Sequence, residues 1–307
     1  MTVTPNVTGE DGAVRKSVPA PALVLGGVAS VQGGAAVATR LFPVAGPGGT
    51  VWLRLGLSSL LLLAIARPTL RGRSAADLRL AVAFGVALAA MNLTFYEALD
   101  RIPLGVAVTI EFIGPLSVAV IGSRRVLDLV WVAFAAVGVV LLTSGGGRLD
   151  RTGVVLAFVT GIFWASYILL SKRVGAVFPG ASGLALALVV GTIGLAPVGI
   201  WSGGSALVDP GVLGRGCVVA LLSSAIPYTL EIYALRRLRA AVFGVLMSLE
   251  PAFAALSGLL FLSQHLRTRE WVAIVFVMAA SVGATRGARG DRVPVEPGAT
   301  PTEMVPV

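Results

Sequence analysis

Residues 103–121 read PLGVAVTIEFIGPLSVAVI, nineteen positions with one ionisable side chain, Glu111, and a proline, Pro115, four residues beyond it. At about 1.5 Å per residue a helix of this length spans the roughly 30 Å hydrocarbon core of a bilayer. The stretch therefore predicts a membrane span with a carboxylate near its middle. On insertion scales a charged group there costs about 2.5–3.5 kcal/mol, so such groups face a bundle interior or water. Pro115 cannot donate a hydrogen bond one turn back, which releases the Glu111 carbonyl from its helical partner. The carbonyl and the carboxylate are expected to offer two acceptors to an ammonium group.

Working outward, apolar runs of similar length recur along the whole chain. Spans are predicted near 21–42, 48–66, 79–99, 103–121, 127–144, 153–171, 181–201, 211–234, 240–262 and 270–285. The expected fold is an all-α polytopic membrane protein with ten transmembrane helices. Of 307 residues, 56% are hydrophobic and 13% charged, and the mean hydropathy is +0.90. These values exclude a water-soluble enzyme and leave no room for a large domain outside the membrane. Cys217 and His265 are the single cysteine and histidine, so disulfide frameworks and His/Cys metal sites are excluded. Gly145-Gly-Gly147 lacks the Lys-Ser/Thr of a phosphate-binding loop. No cofactor is expected, and energy should come from an ion or substrate gradient.

The net charge of +9 does not indicate nucleic-acid binding, because the cations lie singly or in pairs between apolar runs. With a cytoplasmic N-terminus, sixteen Lys and Arg fall on inner flanks and seven on outer ones, with Arg54 inside a span. That excess predicts both termini in the cytoplasm. Residues 1–20 read as a cytoplasmic tail. Residues 287–307, with four prolines and few large apolar residues, read as a disordered one. The first apolar run is too long, and too poor in cleavage signals, for a signal peptide.

A repeat connects the fourth and ninth spans. Ala98-Leu99 and Pro115 recur as Ala234-Leu235 and Pro251 at a constant offset of 136 residues, and Gln32 and Arg40 match Trp164 and Lys172 at 132. Two units, 21–144 and 153–286, of five spans each must enter the membrane in opposite senses. This is the inverted-repeat plan of many carriers, whose sites lie where the halves meet.

Five stretches resemble the EamA-type drug/metabolite transporters, and within them the threonine/homoserine exporters: Ala29-Ser-Val-Gln-Gly-Gly-Ala35, Ile102 to Leu116, Ser123-Arg-Arg125 with Asp128 and Trp131, Ile226-Pro-Tyr-Thr-Leu-Glu231, and Leu246-Met-Ser-Leu-Glu-Pro-Ala252. The resemblance covers roughly residues 21–286. It implies a ten-helix carrier of the inner (plasma) membrane that expels small metabolites, threonine and homoserine in that branch, through a pathway built by both halves. After the ninth span the wider family usually shows a Gly-Glu pair. Here Ser263-Gln264 stands instead, and no carboxylate role carries over to that position.

Candidate residues follow from polarity within spans. Glu111 is expected to attract a substrate ammonium group or to carry an exchanging proton; the alternative is a helix-packing carboxylate. Glu250, directly before Pro251, has the same alternatives and is assigned, with Pro115 and Pro251, to gating or coupling. Tyr228 and Glu231 share a helix face and are expected to meet an amino acid entering from inside. Their alternative is pairing with basic loop residues such as Arg236 or Arg237. Arg40, Arg54 and Glu97 are expected at similar depths, as an outer gate or, for Arg54, as the partner of a substrate carboxylate; the alternative is a static structural ion pair. Gln32, Asn92, Tyr96, Trp164 and Tyr167 are expected to line an otherwise apolar cavity or merely to bridge helices. Trp52, Trp131, Trp201 and Trp271 lie near span ends and read as interfacial anchors. The expected activity is export of small amino acids, with proton exchange as a candidate drive; the rival within transport is another small metabolite, and the rival outside it is a membrane-embedded enzyme, for which the sequence shows no clustered catalytic residues.

Overall fold

Prolines and glycines cut the apolar spans into straight pieces. The computed structural model describes residues 18–68, 72–121, 127–143, 149–235, 237–238 and 240–287. Its helices are α1 (Ala20–Thr39), α2 (Phe42–Ala66), α3 (Ala75–Leu99), α4 (Leu104–Glu111), α5 (Ile113–Ile121), α6 (Leu127–Thr143) and α7 (Arg151–Val177). They continue with α8 (Ser182–Gly203), α9 (Pro210–Ala220), α10 (Ile226–Leu235), α11 (Ala240–Met247), α12 (Glu250–Leu262) and α13 (Thr268–Gly287). Among the described residues, nine helical stretches are long and apolar enough to cross a membrane, and Leu129–Leu142 within α6 is a shorter apolar one. The tails at 1–17 and 288–307 and the Gly145-Gly-Gly147 connection lie outside the described residues.

Helix starts follow local chemistry. Ser74 and Asp77 form a reciprocal capping box at α3, and Asp150 and Asp209 accept bonds from Gly153 N and Val212 N at the starts of α7 and α9. Each cap satisfies a backbone donor that the helix cannot. In α2 the chain kinks at Gly46, whose φ of 65° suits glycine, directly before Pro47.

The fourth, eighth and ninth spans are not the continuous helices expected from their hydropathy. The fourth breaks at Phe112, between α4 and α5, and the ninth at Ser248-Leu249, between α11 and α12. In each case the break opens three residues before a proline, Pro115 or Pro251, where the missing N–H removes the bond that would close that turn. The eighth widens into a π-helical turn, Leu221–Ala225, between α9 and α10. That turn immediately precedes Pro227. All three irregular segments therefore have a proline as their cause.

Packing pairs α2 with α8, α6 with α13 and α4 with α12; α3 lies on α7 and α8, and α1 lies on α10 and α12. Small residues permit close approach in the centre. A Cβ at Gly105 would lie 2.8 Å from the Ala255 backbone, and at Gly114 it would strike the Gly161 carbonyl. The outer faces carry exposed Leu60, Ile65, Ile121 and Leu260, as a surface in contact with lipid requires. Trp201, 91% exposed, fits the anchor reading. Trp52 and Trp131 correct it. Trp52 fills the gap at Gly199 and donates to the Thr192 carbonyl, while Trp131 packs over Gly283. Both act as wedges between helices.

Candidate functional site

The irregular segments converge on one cavity of about 250 Å³. Its wall draws on α1, α2, α3, α4, α7, α8, α10 and α12 together with the π turn. Of the side chains expected from the sequence, Gln32, Arg54, Asn92, Glu111, Trp164, Tyr167, Glu231 and Glu250 line it. Leu55, Leu62, Leu88, Leu184 and Leu188 supply apolar walls.

The helix breaks position the carboxylates. Glu111 is the last residue of α4 and Glu250 the first of α12, so each stands where its span is interrupted rather than in a helix middle. Both are buried. Gln32, on α1, donates through Nε2 to Glu250 Oε1 at 3.1 Å. The Glu111 carbonyl, expected beside its carboxylate as a second ligand for an ammonium group, is instead packed against α7, where a Cβ at Gly161 would lie 2.8 Å from it. The proline frees that carbonyl, and a glycine contact takes it up.

Arg54 reaches the cavity from α2. It donates to the Tyr96 hydroxyl at 3.3 Å and to the Ser223 carbonyl at 3.5 Å, and its guanidinium carbon lies 5.6 Å from the Tyr96 ring centroid. Ser223 precedes Pro227 by four residues, so its carbonyl loses the donor that an α-helix would supply. The widened turn also presents Leu222 O to Ser30 Oγ at 2.7 Å and Ser224 Oγ to Ser58 Oγ at 2.8 Å. Ser223, Ser224 and Thr160 line the cavity as well and were not singled out from the sequence; Pro227 was the one signal pointing to the Ser223 carbonyl.

Several expected residues also have partners of their own, on the cavity wall or away from it. Tyr96 is fully buried behind Arg54 and packs on Phe42 at 5.6 Å between centroids. Trp164 meets Phe112 edge-on at 5.5 Å, and Tyr167 stacks on Phe84 at 5.0 Å. Asn92 donates to Leu88 O at 2.8 Å. Glu97 pairs with Arg101 at 2.7 Å, and Arg40 donates to Phe261 O at 2.6 Å. Arg40 and Glu97 thus have partners of their own, away from the cavity lining that holds Arg54. Pro115 and Pro251 shape the breaks without lining the cavity. Glu231 faces the cavity from α10, beside Gly27 of α1; the side chain of Tyr228 lies outside the described residues.

Four buried polar atoms of lining residues have no hydrogen-bond partner among the described residues: Gln32 Oε1, Arg54 Nε, Ser223 Oγ and Glu250 Oε2. Orphaned groups cost about 1–3 kcal/mol each. All four belong to residues of the cavity wall, so that wall holds polar capacity the described residues do not use.

A bundle of membrane-length helices around a central polar cavity defines a membrane transporter, and residues 151–286 match the model of the EamA-like transporter family. The chain belongs to that family: it is a multi-pass membrane transporter and not an enzyme. It is similar to the threonine/homoserine exporter RhtA of Escherichia coli strain K12, 42% identical over 88% of this chain and 92% of that protein. The Salmonella typhimurium LT2 protein of the same name is 42% identical over 84% and 88%. A crystal structure 18% identical in sequence shares the fold, with a TM-score of 0.59 over 87% of this chain and 99% of the other.

Proposed function

We propose that the protein exports threonine and homoserine across the inner (plasma) membrane by alternating access, in exchange for protons. The observation that carries this reading is the pairing, on one cavity wall, of a guanidinium with no carboxylate partner among the described residues and a separate group of buried carboxylates. A zwitterionic amino acid needs that division of charge. Arg54 takes the α-carboxylate; Glu111 takes the α-ammonium; and Glu231 with Tyr228 receives substrate at the cytoplasmic side. Asn92, Trp164 and Tyr167 bound the side-chain pocket, where about 250 Å³ suits a small residue. The names of the relatives point to the same substrates.

The reading includes ten spans in two inverted units, 21–144 and 153–286, with both termini cytoplasmic. The packing supports it. Advancing each span by five maps α2 on α8 and α6 on α13 onto themselves, and maps α3 on α7 onto α10 on α1. The breaks at Phe112 and Ser248 are also related by the 136-residue offset.

The test is efflux from cells preloaded with a panel of labelled amino acids, with and without a collapsed proton gradient. Threonine and homoserine should leave faster than from cells lacking the protein, and loss of the gradient should slow them. Unchanged efflux of both, with the protein demonstrably in the membrane, removes the substrate assignment.

A further inference from the structure

Gln32 and Glu250 leave complementary atoms unused. Their single hydrogen bond runs from Gln32 Nε2 to Glu250 Oε1, and the remaining oxygens, Gln32 Oε1 and Glu250 Oε2, are both buried and unpartnered among the described residues. Both are acceptors if Glu250 is ionised, so neither can satisfy the other. One proton on Glu250 Oε2 removes the conflict. The acid O–H then donates to Gln32 Oε1 while the amide N–H donates to Glu250 Oε1, closing an eight-membered ring with two hydrogen bonds. Reversing the amide changes nothing essential, since a carbonyl facing a carboxyl oxygen again needs that proton.

Among the described residues the surroundings provide no substitute for it. Glu231 of α10 and Glu111 of α4 are the charged neighbours coupled to Glu250 there, and both are carboxylates. Arg54 of α2 acts on Glu111 and is engaged with Tyr96 and Ser223 O. Neither α1 nor α12 carries another titratable side chain, and on α13 Glu270 is engaged by Arg269 and the Arg267 N–H. A buried anion without a counter-charge is the costly case.

We infer that Glu250 carries the exchanged proton, held as an acid–amide pair with Gln32, and that Gln32 is its positioning residue. This rests on the proton-exchange reading above. Open to the outside, the cavity protonates Glu250 and releases substrate. Open to the cytoplasm, Glu250 gives its proton to cavity water and the restored negative charge favours entry of the next ammonium group. One proton enters for each zwitterion expelled, and no other reactant is required.

Infrared spectroscopy of the purified protein in lipid tests the pair directly. The carbonyl stretch of a protonated, deuterium-sensitive carboxylic acid is expected in the wild type, weakened by added threonine, absent in Glu250→Gln and retained in Glu250→Asp. In proteoliposomes Glu250→Gln should still exchange labelled for unlabelled threonine, more slowly, but an imposed pH gradient should no longer drive accumulation. Gln32→Leu should displace the pH profile of transport, and Gln32→Asn should restore it in part. A wild-type spectrum without the acid band, a band that persists in Glu250→Gln, or gradient-driven accumulation by that variant with a wild-type pH profile would overturn the assignment. Wild-type transport indifferent to the gradient would overturn the parent reading. The two failures are distinct, because the infrared band reports the pair whether or not threonine is the cargo.

Discussion

Arg54 lies half-buried on α2, with a phenol, a backbone carbonyl and an aromatic face as its neighbours. Those contacts orient the guanidinium without neutralising it, which leaves its charge for a ligand. Arg54→Lys should therefore not be conservative: a single ammonium cannot hold Tyr96 and Ser223 and still present a forked donor to a carboxylate. The expected outcome is a raised KM for threonine efflux with the protein still inserted. In the proposed site Glu111 has the opposite task. Loss of a charge-assisted bond of about 1.5–3 kcal/mol should weaken substrate binding roughly 10- to 100-fold. Glu111→Gln should accordingly insert, lose most efflux and lose the thermal protection that threonine gives the wild type. Wild-type efflux in that variant would mean that the carboxylate only packs.

At the scale of elements, the breaks do more than bend helices. Breaking the fourth span at Phe112 lets α4 and α5 both approach α7, where Gly114 and Gly161 place backbone on backbone. Gly161→Ala puts a methyl group against the Glu111 carbonyl. Overpacking of this kind costs about 1–3 kcal/mol, and here the group displaced carries the site carboxylate, so efflux should fall further than the melting temperature suggests. A second joint lies at the start of α4, where Gln264 Oε1 accepts from Leu104 N at 3.0 Å. Gln264→Ala should cost about 0.5–2 kcal/mol, as the loss of a helix cap does, while Gln264→Glu should preserve stability, since a carboxylate suits a helix N-terminus. Thermal unfolding in detergent reads both.

The prolines were legible in the sequence, and with them the placement of Glu111 and Glu250. The consequence for the carbonyl was not, because it depends on Gly161, fifty residues away. Glu97 could have been read otherwise from sequence alone: Arg101 stands four residues later, the spacing of a local helical pair, and that pair is what forms. Ser223, Ser224 and Thr160 were invisible for a different reason. Small hydroxyls are common in spans and usually bond their own helix, as Thr160 does with Leu156 O. Only the π turn, a feature of backbone geometry, brings the two serines to the cavity.

For the whole molecule, the direction of every site residue depends on the orientation of the bundle. In the proposed topology, sixteen inner cations against seven outer ones favour both ends in the cytoplasm, with the α2–α3 connection cytoplasmic and the end of α8 external. Arg67 and Arg73 flank the first of these, and Arg73 is fastened there by its bond to Val177 O and its contact with Phe178. Past Trp201 in the last turn of α8, the chain runs through a short 3₁₀ turn, Gly204–Val208, without a cation until Arg215 in α9. A reporter active only in the cytoplasm should therefore be active when fused at Ser74 and silent at Gly203, and one active only outside should give the reverse. The magnitude of the bias matters to this prediction. Removing one or two cations leaves the excess intact, so single substitutions of Arg67 or Arg73 should not invert the readings. Inversion in the unaltered protein would move Glu231 to the external side of the cavity, and substrate capture from the cytoplasm would have to be reassigned to the opposite end of α10.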